Sequence, residues 1–320
     1  MANYQAPSSK LWTGRTSDEQ LYLHEKIRCL AIDELAETQT NKAVALLGYC
    51  CHEGVKRNQG RIGAKEGPAA IRQALSKLPN HLPESVSLFD VGDVVCVRGD
   101  MEAAQNKLAE LISELLSTNT FPIVLGGGHD LAYGHYQGIQ KFLNAAKKSV
   151  GIINFDAHFD LRDNVNGNNS GTPFFQIARD CEALSNEFKY LCLGIRDDAN
   201  NKRLFETAQA LNVKHLSRDT FRMQFVDEIN KWITAFMNGV DHVYVTIDLD
   251  GFSSAFAPGV SAPSPMGFSP DIVIESLKTI LNSGKLISVD FAEMNPKYDS
   301  DGQTAKLAAS LAHYMIHKLF

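Results

Sequence analysis

Residues 149–160 read Ser149-Val150-Gly151-Ile152-Ile153-Asn154-Phe155-Asp156-Ala157-His158-Phe159-Asp160. The run up to Phe155 is apolar without alternation, as expected of a strand covered on both faces in a parallel sheet. It then delivers three ligand-type side chains at i, i+2 and i+4. In an extended segment that period aims Asp156, His158 and Asp160 at one side of the chain. Two neighbouring carboxylates repel and raise each other's pKa, and a metal ion removes the conflict. A solvated acidic loop explains any one of the three residues more easily than the triplet.

The same kind of apolar run recurs along the chain: AVALLGYC from Ala43, FPIVLGG from Phe121, YLCLGI from Tyr190, VYVTIDLD from Val243 and KLISVDF from Lys285. Helical periodicity fills the intervals, over Met101 to Ser117, Leu131 to Lys147, Gln224 to Asn238, Pro270 to Asn282 and Thr304 to Lys318. Strand and helix in alternation predict an α/β fold, a mostly parallel sheet with helices on both faces. With no repeat and no Gly/Ser-rich linker, a single domain is expected over 41–320, with residues 1–40 as an N-terminal segment packed on it. Ligand sites in such sheets lie at the carboxyl ends of the strands.

Composition narrows the function. The 320 residues are 44% hydrophobic and 21% charged, which excludes disordered and low-complexity classes. The 31 Lys+Arg against 37 Asp+Glu give −6 with no basic block, which argues against nucleic acid as a partner. No uncharged apolar run approaches the ~20 residues of a membrane span, and the first thirty residues hold no signal-peptide core. A soluble cytoplasmic protein with no membrane partner is expected. The six cysteines (Cys29, Cys50, Cys51, Cys96, Cys181 and Cys192) form no CxxC pair and read as reduced thiols. Trp12 reads as a packing anchor and Trp232 as core. The eight histidines outside the motifs, His135 among them, receive no functional role.

Two more strands end in ligand-type residues. After the Phe121 run comes Gly126-Gly127-Gly128-His129-Asp130, which lacks the Lys-Ser/Thr of a phosphate loop and the spacing of GxGxxG. After the Val243 run come Asp248 and Asp250, costly at a buried strand end unless paired or metal-bound. Two imidazoles and four carboxylates suffice for two divalent ions sharing bridging carboxylates. Oxygen-rich donors with imidazole and no thiolate suit Mn²⁺ better than structural zinc, and the histidines argue against calcium. Mg²⁺, Fe²⁺ and Co²⁺ stay as alternatives.

GGGHD, DAHFD and DLD, in that order and at these separations, resemble the arginase/agmatinase (ureohydrolase) family. GRIGAKEGPAAIR from Gly60, GIRDD from Gly194, AEMNP from Ala292 and DGQTAKLAA from Asp301 extend the likeness over most of the chain. The resemblance implies an arginase-like fold around two Mn²⁺ per subunit. His129, Asp156, Asp160 and Asp248 would hold one ion; Asp156, His158, Asp248 and Asp250 the other, with Asp156 and Asp248 bridging. It further implies that Asp160 passes a proton to the leaving amine, that Glu293 pairs with amidine or guanidine nitrogens, and that the subunits form trimers or hexamers.

Departures from the arginase pattern point to a substrate. Asn169-Ser170-Gly171-Thr172-Pro173 stands where arginases and agmatinases carry a loop His-Gly, and the family's Asp-Pro after its last ligands is replaced by Gly251 to Gly259. With LWTGR from Leu11 and RNQGRIGAKEGP from Arg57, these features resemble the branch that acts in histidine degradation. For that branch the resemblance implies hydrolysis of N-formimidoyl-L-glutamate to L-glutamate and formamide. Such a small-molecule substrate carries two carboxylates, which calls for guanidinium groups. Arg162 is the first candidate, with Arg57 and Arg61 behind it, and Ser170 beside them in place of the loop histidine. The alternatives are a guanidine hydrolase of the agmatinase or guanidinobutyrase type, and a catalytically silent metal-binding regulatory member of the fold.

Overall fold

The computed structural model describes residues 3–35 and 42–320. The expected boundary at 40/41 therefore falls outside the described residues. The strands are β1 (Tyr4–Gln5), β2 (Arg28–Cys29), β3 (Ala43–Cys50), β4 (Ser87–Val95), β5 (Thr120–Gly126), β6 (Val150–Phe155), β7 (Tyr190–Ile195), β8 (Lys214–Ser217), β9 (His242–Asp248) and β10 (Leu286–Ala292). They form one sheet in the order β1-β4-β3-β5-β10-β9-β6-β7-β8, with β2 also on β4. Every pairing is parallel except β1 with β4. The α-helices are α1 (Leu23–Lys26), α2 (Ile32–Leu35), α3 (Glu53–Arg57), α4 (Gly67–Leu75), α5 (Met101–Ser117), α6 (Leu131–Leu143), α7 (Pro173–Ala183), α8 (Lys202–Ala210), α9 (Val226–Asn238), α10 (Pro270–Asn282) and α11 (Gln303–Lys318).

The unbroken apolar runs have a direct structural reading. In β3, Val44 and Leu46 join one core with α4, α9, α10 and α11, while Ala43, Ala45, Leu47 and Tyr49 join a second core with α5 to α8. β6 divides likewise, Ile153 and Phe155 to one face, Val150 and Ile152 to the other. A strand that feeds two cores has no room for a polar alternation, which is why the sequence shows none.

β4 is absent from the sequence reading because SLFDVGDVV carries two aspartates and a glycine. Arg72 of α4 explains them. Its guanidinium, 1% exposed, donates to Asp90 Oδ1 at 2.8 Å, to Asp93 Oδ1 at 2.6 Å and to the Gly92 carbonyl at 2.8 Å. Trp12 Nε1 donates to the other Asp90 oxygen at 2.7 Å, so the buried carboxylate also ties down the N-terminal segment. Trp12 is thus the anchor expected of it. Trp232 is not core: it lies 46% exposed on the outer side of α9, whose inner face is Ile229, Ile233 and Met237.

The order β5-β10-β9-β6 sets four parallel strands side by side, so their carboxyl ends open on one edge of the sheet. Removing the cation from a buried ion pair leaves uncompensated charge and costs about 3–5 kcal/mol. Arg72→Met should therefore lower unfolding free energy by that amount in a denaturant titration. A loss under 1 kcal/mol would show that Asp90 and Asp93 find other partners.

Candidate metal centre and substrate cleft

At those four strand ends lie His129 (after β5), Asp156, His158 and Asp160 (after β6), Asp248 and Asp250 (end of β9 and the turn beyond) and Glu293 (after β10). Gly127 brings the first loop in. Carbonyl oxygens of Cys51 and Tyr49 lie 2.4 and 2.5 Å from where its Cβ would stand, so only glycine fits between β3 and β10. The three glycines serve close approach here, since none of them has positive φ.

The path after β6 differs from the extended one expected. The strand stops at Phe155, His158 N–H turns back to Asp156 Oδ1 at 2.7 Å, and Asp160 adopts φ +49. Asp248 and Asp250 are likewise not simply alternating: residues 249–251 form a single 3₁₀ turn, with Asp250 N–H on Asp248 Oδ1 at 2.9 Å. Carboxylates accepting nearby backbone N–H groups bend the chain, so the side chains converge by turns instead of by strand period. Glu293, at φ +65, is a second residue of the site in the left-handed region. Such strain persists where the surroundings over-determine it, and functional sites collect it.

Two groups of ligand atoms result, each gathered within 4.8 Å: His129, Asp156, Asp160 and Asp248, and then Asp156, His158 and Asp250. Asp156 belongs to both, Asp248 to the first. Nδ1 of His129 lies 2.9 Å from Asp160 Oδ2, 2.9 Å from Asp248 Oδ2 and 3.3 Å from Asp156 Oδ2. Nδ1 of His158 lies 3.2 Å from Asp250 Oδ1 and 3.4 Å from Asp156 Oδ1.

A cation fits this arrangement on hydrogen-bond grounds. Thr246 donates its hydroxyl proton to Asp290 Oδ1 at 2.6 Å, so its Oγ1 accepts from His129 Nε2–H at 2.9 Å. With the proton on Nε2, the His129 Nδ1 lone pair faces three carboxylate oxygens, and that nitrogen is a buried atom with no hydrogen-bond partner. Asp250 Oδ1 is a second such orphan. A lone pair aimed at anions is stable only with positive charge between them, and a fixed second nitrogen is how ligand imidazoles are oriented.

The electrostatics agree. Burial pushes the Asp160 carboxyl above its usual range, with the Asp156 charge adding to it. Burial, then the charges of Asp248 and Asp250, push Glu293 well above its range. Burial acts on Asp156 in the same direction, but the imidazoles of His129 and His158 beside it outweigh it and hold this carboxyl below the ordinary value. Among the described residues, the ion-pair partners of the four aspartates are imidazoles only.

A cleft of about 320 Å³ opens above the cluster, lined by His158, Asp160, Asp248, Asp250 and Glu293 on its floor and by Asn58, Arg61, Arg162, Ser170 and Ser261 on its wall. A larger cavity of about 820 Å³ beside Trp232 and Phe236 contains none of the site residues. Glu293 Oε1 accepts His129 N–H at 2.9 Å, and its buried Oε2 has no partner. Among the described residues, Arg162 makes no ion pair. Arg61 Nε and Nη2 donate to the carbonyls of Ser261 at 3.0 Å and Val260 at 2.6 Å, and the guanidinium lies 4.0 Å over the Tyr298 ring. Arg57 is not brought to the cleft. Its guanidinium is taken by Glu102 at 2.6 and 3.1 Å and by the Asn168 and Gly99 carbonyls. Asn58, whose amide donates to Ser170 Oγ at 3.2 Å, was given no role in the sequence although it lies within RNQGRIGAKEGP: nothing in that stretch tells which of its polar side chains faces a cleft.

A profile of the Arginase family matches residues 42–317, and the chain belongs to this family. A formimidoylglutamase of Geobacillus kaustophilus is 42% identical over 311 residues, covering 96% of this chain and 95% of that one. One of Chromobacterium violaceum is 44% identical over 308 residues, 95% of this chain and 96% of the other. The crystal structure of formimidoylglutamase from Bacillus subtilis superposes with a TM-score of 0.81 at 25% identity, over 95% of this chain and 93% of that chain.

Clustered carboxylates that repel when bare make the folded state depend on the cation. At a hundred times Kd, a ligand specific for the folded state contributes about 2.7 kcal/mol. Chelation should lower Tm and added Mn²⁺ restore it, with a smaller response in Asp248→Asn. An identical Tm with and without chelator would contradict the fit.

Proposed function

We propose that the protein is a manganese-dependent hydrolase of the C–N bond of a linear amidine, with N-formimidoyl-L-glutamate as substrate and L-glutamate and formamide as products. The observation that carries this reading is the cleft itself: a carboxylate and imidazole floor facing a wall whose two guanidinium groups, Arg61 and Arg162, have no carboxylate partner among the described residues. Formimidoylglutamate is the complement, cationic at its amidine and dianionic at its tail. The relatives at 42% and 44% identity carry the same activity in their names.

His129, Asp156, Asp160 and Asp248 would hold one Mn²⁺ and Asp156, His158, Asp248 and Asp250 a second, two per chain. When bound, a pair of such cations lowers the pKa of water to near neutrality and makes it a nucleophile. The chain's residues do the rest. Glu293, part of the floor and with its Oε2 unpartnered among the described residues, receives the amidine N–H groups and orients the formimidoyl carbon. Arg162 and Arg61 bind the glutamate carboxylates, with Ser170 and Asn58 beside them, and so fix the distance from tail to reacting carbon. Water oxygen adds to that carbon. Asp160 takes the proton that the water gives up and delivers it to the departing nitrogen as the bond to glutamate breaks.

This activity would place the protein in histidine degradation, in the cytoplasm, as a trimer or hexamer, with residues 1–40 an N-terminal segment on a 41–320 catalytic domain. Among the described residues, no helix is long and apolar enough to cross a membrane.

The Mn²⁺-loaded protein should turn over formimidoylglutamate with a higher kcat/KM than agmatine, arginine or guanidinobutyrate; agmatine as the better substrate would replace this reading with a guanidine hydrolase. Losing one charge-assisted contact costs about 1.5–3 kcal/mol, so Arg162→Ala should lose roughly ten- to 150-fold in kcat/KM at unchanged manganese content. Asp160→Asn, compared at matched metal occupancy, should lose kcat; equal rates would leave Asp160 a ligand only.

A further inference from the structure

Away from the cleft floor, β3 and β4 bring two thiols to one point. Cys50 ends β3 in register with Val95, the last residue of β4, and Cys96 N–H donates to the Cys50 carbonyl at 3.3 Å. The next residues on each strand, Cys51 and Cys96, therefore leave the ladder side by side. Adjacent strands run about 4.8 Å apart, within the ~4.4–6.8 Å Cα separation that a disulfide spans. Cys51 is buried and Cys96 is partly exposed. We propose that Cys51 and Cys96 form a reversible disulfide modification site for oxidants of the hydroperoxide class, and that closing it distorts the wall of the cleft.

The division of labour follows from exposure, Cys96 being partly open and Cys51 buried. The neighbouring Cys51 thiol lowers the Cys96 pKa, while Cys96 and burial raise that of Cys51. Cys96, accessible and the better thiolate, attacks the peroxide. A sulfur–oxygen bond forms, the O–O bond breaks, and the alcohol or water leaves with a proton, giving Cys96 as the sulfenic acid. The Cys51 sulfur then attacks the Cys96 sulfur; the S–S bond forms, the S–O bond breaks, and the hydroxide departs with the Cys51 proton as water. Two electrons pass from two thiols to one peroxide. The other cysteines are poor competitors, since burial pushes Cys29 up to about 11 and raises Cys50, Cys181 and Cys192 as well.

Cys51 is joined to the cleft by backbone. Its sulfur accepts Glu53 N–H at 3.4 Å at the start of α3, and its carbonyl accepts Gly128 N–H at 3.1 Å, one residue before His129. The Gly54 carbonyl holds Ser170 N–H at 3.1 Å, and the turn after α3 supplies Asn58 and Gln59 to the cleft. Drawing the Cys51 sulfur into covalent contact with Cys96 takes it from Glu53 N–H and shifts both attachments.

The wild-type protein is treated with hydrogen peroxide, alkylated, digested and mapped by mass spectrometry. The proposal expects a Cys51–Cys96 cross-linked peptide, loss of most of the turnover of whichever amidine or guanidine substrate the enzyme uses, and recovery of both by dithiothreitol. Cys96→Ser should form no cross-link and keep its activity. Both thiols remaining alkylatable, sulfinic acid at Cys96 without the cross-link, or a cross-linked protein of full activity would overturn it. The peptide is read without substrate, so its absence is distinguishable from a failure of the amidine-hydrolase reading.

Discussion

One imidazole lone pair facing three carboxylate oxygens is the constraint around which the rest of the molecule is arranged. His129 Nδ1 stands about as close to Asp160, Asp248 and Asp156 as a hydrogen bond would place it, yet its proton is on the other nitrogen, held there by Thr246 and Asp290. No packing of neutral groups makes that favourable. The arrangement makes sense as a cradle for divalent cations, and the fold supplies the rigidity that keeps the anions together.

That rigidity comes from strands committed on both sides. β5, β10, β9 and β6 are neighbours whose side chains feed one core or the other, so their ends cannot slide without disturbing two layers of helices. The last residues before the chemistry are set by backbone. Gly127 lets the β5 loop touch the carbonyls of Tyr49 and Cys51, and Glu293 N–H is fixed to the Gly127 carbonyl at 2.8 Å. The left-handed conformations of Asp160 and Glu293 are held inside this frame.

The fold class was legible because doubly covered strands leave an unmistakable trace of continuous apolar residues, and the long helices because their apolar period is intact. α5 and α10 begin and end where the periodicity predicts. β4 was hidden for the opposite reason: Asp90 and Asp93 look like loop residues until Arg72, eighteen and twenty-one positions earlier, is found between them. In the site, the spacing of Asp156, His158 and Asp160 singled out side chains that the structure also gathers, but by turns where extension was expected. Arg57 and Arg61 were indistinguishable in sequence. Glu102, forty-five residues from Arg57, is what separates them. Trp232 shows the limit of reading helices without their partners, because a tryptophan on the outer face of α9 has the same neighbours in sequence as one on the inner face.

The central claim is that these six side chains from three strand ends form one two-cation site. Crystals of the Mn²⁺-loaded protein, measured on both sides of the manganese absorption edge, test it most directly. The account predicts two anomalous peaks per chain, one among His129, Asp156, Asp160 and Asp248 and one beside His158 and Asp250, with Asp156 in contact with both. A single peak, or peaks outside this set of side chains, would contradict it.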